Sequence, residues 1–300
     1  MKLKRLDGEY DRSVLFALAA AALYACSTPL SKVLLTRLPP VLLAGLLYLG
    51  AGVGAGAALL FGRAIHGAKP ERTFTRRDIP FVSGMVLLDV LAPVLLLFGL
   101  RSSPASSAAL LNNFEIVATA LFALFLFREA IPSRLWLALA LITGASCLLT
   151  FDAKGGLAFS AGSLFVLLAA ACWGLENNCT RKLADHNPIM IVMVKGLCSG
   201  ACSLAIGLLS GERPSGWSGA LSAMLVGCFA YGMSIACYIR AQRTLGAAKT
   251  SAYYAAAPFI GSALSFILLK ERPDPVFFAA LALMAAGAYF ATFDRPQAKE

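Results

Sequence analysis

The sequence predicts an all-α membrane protein with ten transmembrane helices, and three observations lead to this prediction. Hydrophobic residues make up 59% of the 300-residue chain and charged residues only 14%, whereas soluble domains are typically about 45–50% hydrophobic and about 25% charged. The apolar residues fall into ten continuous windows of roughly the 20 residues that a helix needs to cross a bilayer. A β-barrel is excluded because its strands alternate apolar and polar residues over about 10 positions.

The ten windows follow one another with mostly short connections. They cover residues 14–36, 41–61, 79–100, 104–127, 135–151, 161–180, 189–209, 220–239, 250–269 and 275–292. An apolar run behind a basic N-terminus also describes a cleaved signal peptide, but the first run continues to Leu35, which is too long for a signal sequence. We therefore expect the first window to be retained as the first span.

Basic residues predict the orientation of the chain. The 26 Lys and Arg exceed the 16 Asp and Glu, but all except Lys32 and Lys195 lie between the apolar windows, so a nucleic-acid partner is not expected. With a cytoplasmic N-terminus, 18 of them fall on the cytoplasmic side and seven on the outer side. The positive-inside rule then predicts a multi-pass protein of the cell (cytoplasmic or inner) membrane with both termini in the cytoplasm.

An internal repeat relates the two halves of the chain. With a shift of 142 positions, Arg128-Glu129 aligns with Lys270-Glu271. Near the start of each half, a shift of 149 positions aligns Tyr24 with Trp173. These matches are more informative than the alignment of Ala and Leu, because helices rich in those residues align easily.

The repeat predicts two units, residues 14–151 and 161–293, with five spans each. Because five is an odd number, the second unit must insert upside down relative to the first. Inverted repeats are typical of secondary transporters, whose substrate site lies near the midplane between the repeats. A duplicated scaffold without transport activity is the alternative.

Matching stretches of the two halves resemble one known family. The segment from Arg101 to Glu129 and the segment from Thr244 to Arg272 are both similar to spans three and four of the EamA family, which belongs to the drug/metabolite transporter (DMT) superfamily. The openings Leu23-Tyr24-Ala25 and Cys172-Trp173-Gly174 resemble the first span of the family. The resemblance implies ten helices in two inverted EamA repeats and export of small metabolites by alternating access.

The resemblance does not imply a substrate, because relatives handle several kinds of solute. Asn113-Phe114-Glu115 stands where the fourth span of the family often has a small residue or proline. This buried acid separates the chain from members with an apolar cavity. We therefore do not infer from those members that this chain transports aromatic amino acids.

Five ionisable residues lie inside the apolar windows: Lys32, Asp89, Glu115, Glu176 and Lys195. A charge at a helix centre costs about 2.5–3.5 kcal/mol on insertion scales, so such residues are expected to face the protein interior or a water-filled cavity. Lys32 lies near the outer end of its span and can extend to the membrane surface.

The depths of these residues allow several pairings. Asp89 and Glu115 lie at the midpoints of adjacent spans, and Glu176 and Lys195 lie at matching depths nearer the cytoplasm, so an ion pair between those two is geometrically allowed. A fixed salt bridge of Lys195 with Glu176 or with either midplane acid would be purely structural. Three acids against one lysine leave at least one carboxylate without an obvious positive partner.

Glu115 is the best candidate for that unpaired acid. A buried carboxyl can be neutral in one conformation and charged in another, so it can carry a coupling proton or hold an amine-bearing substrate. Two polar stripes at helical spacing are expected to face one cavity with it. They consist of Asn112, Glu115 and Thr119 in the fourth span and of Trp173, Glu176, Asn177 and Thr180 in the sixth. Alternatively, the Asn and Thr side chains bind neighbouring helices together.

Further candidates surround these stripes. Asn113 adjoins the fourth-span stripe. Aromatic walls for a cation or a ring are predicted from Tyr231, Tyr238, Tyr253 and Tyr254. Pro29, Pro93 and Pro258 are expected to kink their spans. Close helix contacts are expected at Gly50, Gly52, Gly54, Gly56, Gly196 and Gly200.

The residues favour neither an enzyme nor a metalloprotein. Both histidines, His66 and His186, fall in predicted cytoplasmic loops, and no nucleotide-binding motif is present. We expect no cofactor and no metal; the expected partners are a small-molecule substrate, the lipid bilayer and a coupling proton. An uncoupled facilitator with structural buried charges is the next alternative, ahead of a channel or an intramembrane enzyme. Substrate and oligomeric state stay open.

Overall fold

The computed structural model describes residues 2–66, 74–128, 133–150, 160–214 and 216–292, and the regular secondary structure in these ranges is helical throughout. Thirteen α-helices and one π-helical segment follow in chain order: α1 (Lys2–Ala25), α2 (Ser27–Leu34), α3 (Pro40–His66), α4 (Ile79–Ser102), α5 (Ala105–Leu111), α6 (Phe114–Phe127), α7 (Ser133–Thr150), α8 (Ala161–Leu183), α9 (Pro188–Leu209), α10 (Trp217–Val226), the π-helix (Gly227–Met233), α11 (Ser234–Tyr254), α12 (Ala257–Leu269) and α13 (Pro275–Thr292).

Seven helical stretches in the described ranges are long and apolar enough to cross a membrane, and two of them run across a break between successive helices. Two further apolar helices, Ala257–Leu269 and Pro275–Phe290, are shorter. Helix α8 has 23 residues, but polar residues in its second half lower its mean hydropathy. The predicted number of ten spans is therefore not established by length and hydropathy alone.

Three predicted spans are interrupted, the first and fourth well inside the span and the ninth near its start. Cys26 separates α1 from α2, Asn112 and Asn113 separate α5 from α6, and Ala255 and Ala256 separate α11 from α12. With the 142-residue shift of the repeat, the last two breaks coincide to within one residue. Interrupted helices at membrane depth are tolerated where they line a cavity or are buried in protein.

Two of the three prolines mark breaks rather than the predicted kinks. Pro29 lies in the first turn of α2 and Pro258 in the first turn of α12. Proline has no N–H, so in each case the carbonyl four residues earlier, that of Ala25 or Tyr254, cannot be paired within a continuous helix. Helix α4, in contrast, continues through Pro93.

The two halves of the chain pack against each other in matching pairs. Helix α3 packs on α9, α5 on α12 and α7 on α13, so each of these contacts joins corresponding parts of the two halves. Helix α4 of the first half packs on α8 of the second half. The repeat-related contact is that of α11 of the second half with α1 of the first. The interior therefore lies between the halves rather than within either one.

Glycines allow the closest of these contacts, as the sequence predicted. A Cβ atom on Gly196 would lie 2.3 Å from the backbone nitrogen of Gly52, and one on Gly200 would lie 2.6 Å from that of Leu49. A Cβ on Gly50 would lie 2.0 Å from the Met224 carbonyl oxygen. Gly56 is different, since the nearest atom to its Cβ position is 3.6 Å away. Close approach is thus confirmed for the α3–α9 crossing but not at Gly56.

Charged side chains bind helix ends at one end of the bundle. The Glu271 carboxylate accepts hydrogen bonds from the backbone N–H groups of Ala105 (2.7 Å) and Ser106 (2.9 Å) at the start of α5. Glu212 likewise accepts from Leu42 N at 2.7 Å, near the start of α3. Lys32 donates to the carbonyl oxygens of Leu100 and Ser103 at the end of α4. Lys32 therefore caps a neighbouring helix instead of extending to the surface.

Candidate functional site

A cavity lies between the two halves of the chain. Its aromatic lining consists of Tyr24, Tyr48, Trp173, Tyr231, Tyr238 and Tyr254. Its polar lining consists of Glu115, Glu176, Asn177, Thr180 and Lys195. Both halves contribute to each of these sets, so the cavity exists only in the assembled bundle.

Helix α8 supplies four of the lining residues from one face. Trp173, Glu176, Asn177 and Thr180 follow the i, i+3, i+4, i+7 spacing that places side chains on one side of an α-helix. All four are buried, and all four line the cavity, as predicted from their spacing. The other polar residue of this segment, Asn178, donates hydrogen bonds to the carbonyl oxygens of Thr119 and Gly174 (3.1 and 2.9 Å), so it joins α8 to α6.

Lys195 pairs with two carboxylates at once. Its Nζ atom lies 2.9 Å from Glu176 Oε1 and 3.1 Å from Asp89 Oδ2. The ion pair with Glu176 that the sequence allowed is therefore formed, and the structure adds Asp89 to it. Thr180 donates a further hydrogen bond to Glu176.

Asp89 lies behind the wall of the cavity rather than in it. Its side chain is fully buried, it is absent from the lining, and Tyr48 Oη donates a hydrogen bond to its Oδ1 atom at 2.8 Å. Lys195 and Tyr48 thus separate it from the cavity. Asp89 therefore reaches the cavity only through its partners Lys195 and Tyr48.

Glu115 lines the cavity without a basic partner among the described residues. Asn177 donates a hydrogen bond from Nδ2 to Glu115 Oε1 at 2.6 Å, and Lys195 is shared by the other two acids. The surplus carboxylate that the sequence predicted is therefore Glu115.

The fourth-span stripe does not form a single face. Thr119 is absent from the cavity lining; its hydroxyl and carbonyl oxygens accept hydrogen bonds from Asn177 and Asn178. Asn112 and Asn113 line a second, smaller cavity beside Glu115. The prediction assumed a continuous helix, whereas the break between α5 and α6 changes the direction of Asn112 relative to Glu115. Thr119 follows the break and is turned toward α8 by its hydrogen bonds.

Tyr24 lies at the centre of the aromatic lining of the cavity. Its ring is 5.5 Å from that of Tyr254, 5.6 Å from that of Tyr231 and 6.3 Å from that of Trp173, measured between centroids. Trp173 donates a hydrogen bond from Nε1 to Tyr48 Oη at 3.4 Å. The sequence interpretation did not select Tyr24 or Tyr48 as site residues. The alignment of Tyr24 with Trp173 was a usable signal for the first of them, but no pattern distinguished Tyr48.

Tyr253 does not reach the cavity, contrary to the prediction. It packs against a separate cluster that includes Ala17, Ala241 and Leu245, whereas its neighbour Tyr254 lines the cavity. Adjacent residues on a helix differ by about 100° in direction, so only one of the two can face inward.

His186 lies outside the cavity lining. His186 follows α8 as predicted, but it is buried, with its ring stacked on Phe74 at 4.7 Å and its Nε2 atom 3.4 Å from Asp78 Oδ2. His66 is the last residue of α3 rather than part of a loop. Within the described ranges, no group of three or more His, Cys, Asp or Glu side chains could hold a metal ion.

A multi-pass helical bundle with buried charges and aromatic rings around a cavity between two halves has the features of a membrane transporter. The chain belongs to the EamA-like transporter family, whose model matches residues 11–151 and again residues 160–293.

Two comparisons with individual proteins agree with this assignment. The chain is 27% identical over 286 residues to the "Uncharacterized transporter" of Methanothermobacter thermautotrophicus, an alignment that covers 88% of this chain and 82% of that protein. A crystal structure of a protein with 22% sequence identity superposes with a TM-score of 0.67 and covers 93% of this chain and 96% of that one. At this level of identity the second comparison supports the fold alone.

Proposed function

We propose that the protein is a secondary transporter that exports small amine-bearing metabolites across the cell (inner) membrane by alternating access. Glu115 carries the coupling proton or holds the cationic group of the substrate. The observation that carries this proposal is the placement of Glu115, a buried acid that faces the cavity and has only an amide partner, Asn177, among the described residues.

The formal charges around the cavity favour a cation. Asp89, Glu115 and Glu176 contribute three negative charges when ionised, and Lys195 contributes one positive charge, which leaves a formal charge of −2. Negative charge in a water-poor cavity attracts protons and cations and disfavours anions. A protonated amine or a proton at Glu115 reduces this excess.

The aromatic lining favours an amine that carries an apolar body. Six tyrosine and tryptophan rings line the cavity. Such rings attract ammonium groups through their faces and bury apolar surface at the same time. A sugar or a nucleotide would have to place its polar groups against these rings.

The architecture supports alternating access. We assign ten spans to two inverted repeats, residues 14–151 and 161–293, with both termini in the cytoplasm. The matching pairs of helices across the halves and the breaks at corresponding positions are the features expected when two related units rock around a central site.

An uncoupled facilitator is the second candidate, and one observation favours it. Lys195 has two carboxylate partners, so this cluster could serve structure alone, with flux following the substrate gradient. The two candidates differ in whether flux responds to a pH gradient.

The substrate class is tested first by thermal unfolding of the detergent-purified protein against amino acids, polyamines, organic cations, sugars and nucleotides. A ligand at 100 times its dissociation constant stabilises the folded protein by about 2.7 kcal/mol. We expect stabilisation by amines that is lost in Glu115→Gln. The amine proposal would be contradicted if only sugars or nucleotides stabilised the protein and if Glu115→Gln did not change that stabilisation.

Coupling is tested in proteoliposomes with a quaternary ammonium solute, which cannot cross as a neutral base. We expect vesicles with an acidic interior to accumulate the solute through the wild-type protein, and Glu115→Gln to abolish this response to the pH gradient. Glu212→Gln, an acid-to-amide change outside the cavity lining, is the matched control. Wild-type accumulation by Glu115→Gln would exclude a proton-carrying role for Glu115, and pH-independent flux in the wild type would favour the facilitator.

A further inference from the structure

A second, smaller cavity adjoins the central one. Tyr24, Glu115 and Tyr254 line both cavities. Asn112, Asn113 and Pro258 line only the smaller one, which therefore lies where the interrupted fourth span meets the interrupted ninth.

The polar walls of this second cavity are unpaired. Asn112 is 5% exposed and Asn113 is 2% exposed. Among the described residues, Asn112 Oδ1 and both Oδ1 and Nδ2 of Asn113 have no hydrogen-bond partner. Buried polar side chains almost always have partners, because leaving one unpaired away from water is unfavourable. Two such side chains at one cavity therefore take their partner from outside the chain, either water or a polar group of a bound solute.

A local structural role does not account for these amides. Asn113 occupies the N-cap position of α6, where asparagine commonly accepts a hydrogen bond from the following backbone N–H groups, yet it makes no such bond. The other polar asparagines near the site, Asn177 and Asn178, both have partners. The amides of Asn112 and Asn113 thus neither cap the helix nor join two helices.

From this geometry we infer that the second cavity is a subsite for a neutral planar group with both a hydrogen-bond donor and an acceptor, of which a carboxamide is the simplest. It receives this group from the amine-bearing solute whose ammonium is held at Glu115, and in that respect it rests on the proposed function. The amide N–H groups donate to Asn112 Oδ1 and Asn113 Oδ1, and the amide carbonyl accepts from Asn113 Nδ2.

A carboxylate does not fit this set of atoms. Two of the three unpaired atoms are acceptors, and Glu115 adds a carboxylate to the same wall. A second carboxylate would face these acceptors without enough donors and would be repelled by Glu115. The subsite therefore distinguishes an amide from an acid of nearly the same shape.

Three matched ligands test the subsite by their affinities for the purified protein: phenethylamine, which has only the amine; phenylalaninamide, which adds a carboxamide; and phenylalanine, which adds a carboxylate. We expect phenylalaninamide to bind about tenfold more tightly than phenethylamine, the effect of roughly one net hydrogen bond. Phenylalanine should bind no more tightly than phenethylamine.

In Asn113→Leu we expect the ratio of the affinities for phenylalaninamide and phenethylamine to fall from about ten to about one, and comparing the two ligands within one variant provides the control. Replacing an unpaired buried amide by an apolar side chain of similar size should be tolerated, and Asn113→Ala provides a second variant. If amines bind in a Glu115-dependent manner but the amide gives no gain, or the gain survives in both variants, the subsite is overturned and the proposed function stands. If none of the three ligands binds the wild-type protein but another amine of the panel does, the subsite is overturned; if no amine binds, both are overturned.

Discussion

Lys195 lies between Glu176 and Asp89, and each of the three side chains is buried. Ion pairs of this kind can contribute little net stability, because the cost of removing the charges from water offsets their attraction. Removing one member is a different matter, since it leaves its partners buried and uncompensated. The lysine is the only positive charge in this cluster, so its loss affects both acids.

We therefore predict that Lys195→Met lowers the free energy of unfolding by about 3–5 kcal/mol. Unfolding of the detergent-purified variant by heat and by denaturant measures this change. Adding Asp89→Asn and Glu176→Gln to the same chain should restore much of the loss, because no uncompensated charge then remains. The exposed Lys182→Met is the control and should change stability by less than about 1 kcal/mol. Equal stabilities of the two lysine variants would contradict this account.

Individual site residues differ in how far the sequence could identify them. Glu115 and Lys195 were visible as charges inside apolar windows, because such charges are costly in lipid. Tyr253 and Tyr254 were indistinguishable, since the direction of each ring depends on how α11 is rotated within the bundle. The Tyr48 side chain contacts Asp89, Trp173 and Tyr231 from three other segments, and nothing in its own segment indicates this.

At the scale of elements, the interrupted helices have different origins. The breaks before α2 and α12 follow from Pro29 and Pro258, each of which removes one helical hydrogen bond. The break at Asn112 and Asn113 has no proline four residues beyond it. Asparagine is a weak helix former, but this preference alone does not specify a break, so the sequence predicted a continuous span there.

The α3–α9 crossing yields a prediction about helix packing. A Cβ atom on Gly196 would meet backbone atoms of α3, which cannot move aside as a flexible side chain can. Gly196→Ala should therefore destabilise the protein by about 1–3 kcal/mol. Gly144→Ala in α7 is the matched control, since nothing lies within 4 Å of its Cβ position, and it should be neutral or stabilising by up to about 1 kcal/mol. Equal thermal stabilities would show that the crossing is looser than described.

At the scale of the whole molecule, the orientation of the chain rests on the distribution of its basic residues. Large apolar side chains such as Leu60, Phe61, Phe125 and Leu209 are exposed on the bundle, as expected for a protein surrounded by lipid. Lipid contact sets the depth of the bundle but not which end faces the cytoplasm. The excess of Lys and Arg on one side supplies that information.

Two exposed arginines test the proposed orientation. Arg76 precedes α4 and Arg213 follows α9, at opposite ends of the proposed topology. A membrane-impermeant maleimide should label Arg213→Cys in intact cells and Arg76→Cys only after permeabilisation. Labelling of the wild-type protein gives the background from the native cysteines. The reverse pattern of labelling would place both termini outside.

The sequence by itself determined the class of protein, the helical composition, the repeat and the buried charges that need a polar surrounding. These properties depend on hydropathy, charge and spacing along the chain. Only the tertiary structure decided that Lys195 binds both Asp89 and Glu176, that Glu115 is the remaining acid, and that Asn112 and Asn113 line a separate cavity. Those outcomes depend on distances between side chains from different helices, and the rotation and separation of packed helices are set by side-chain contacts across the whole bundle.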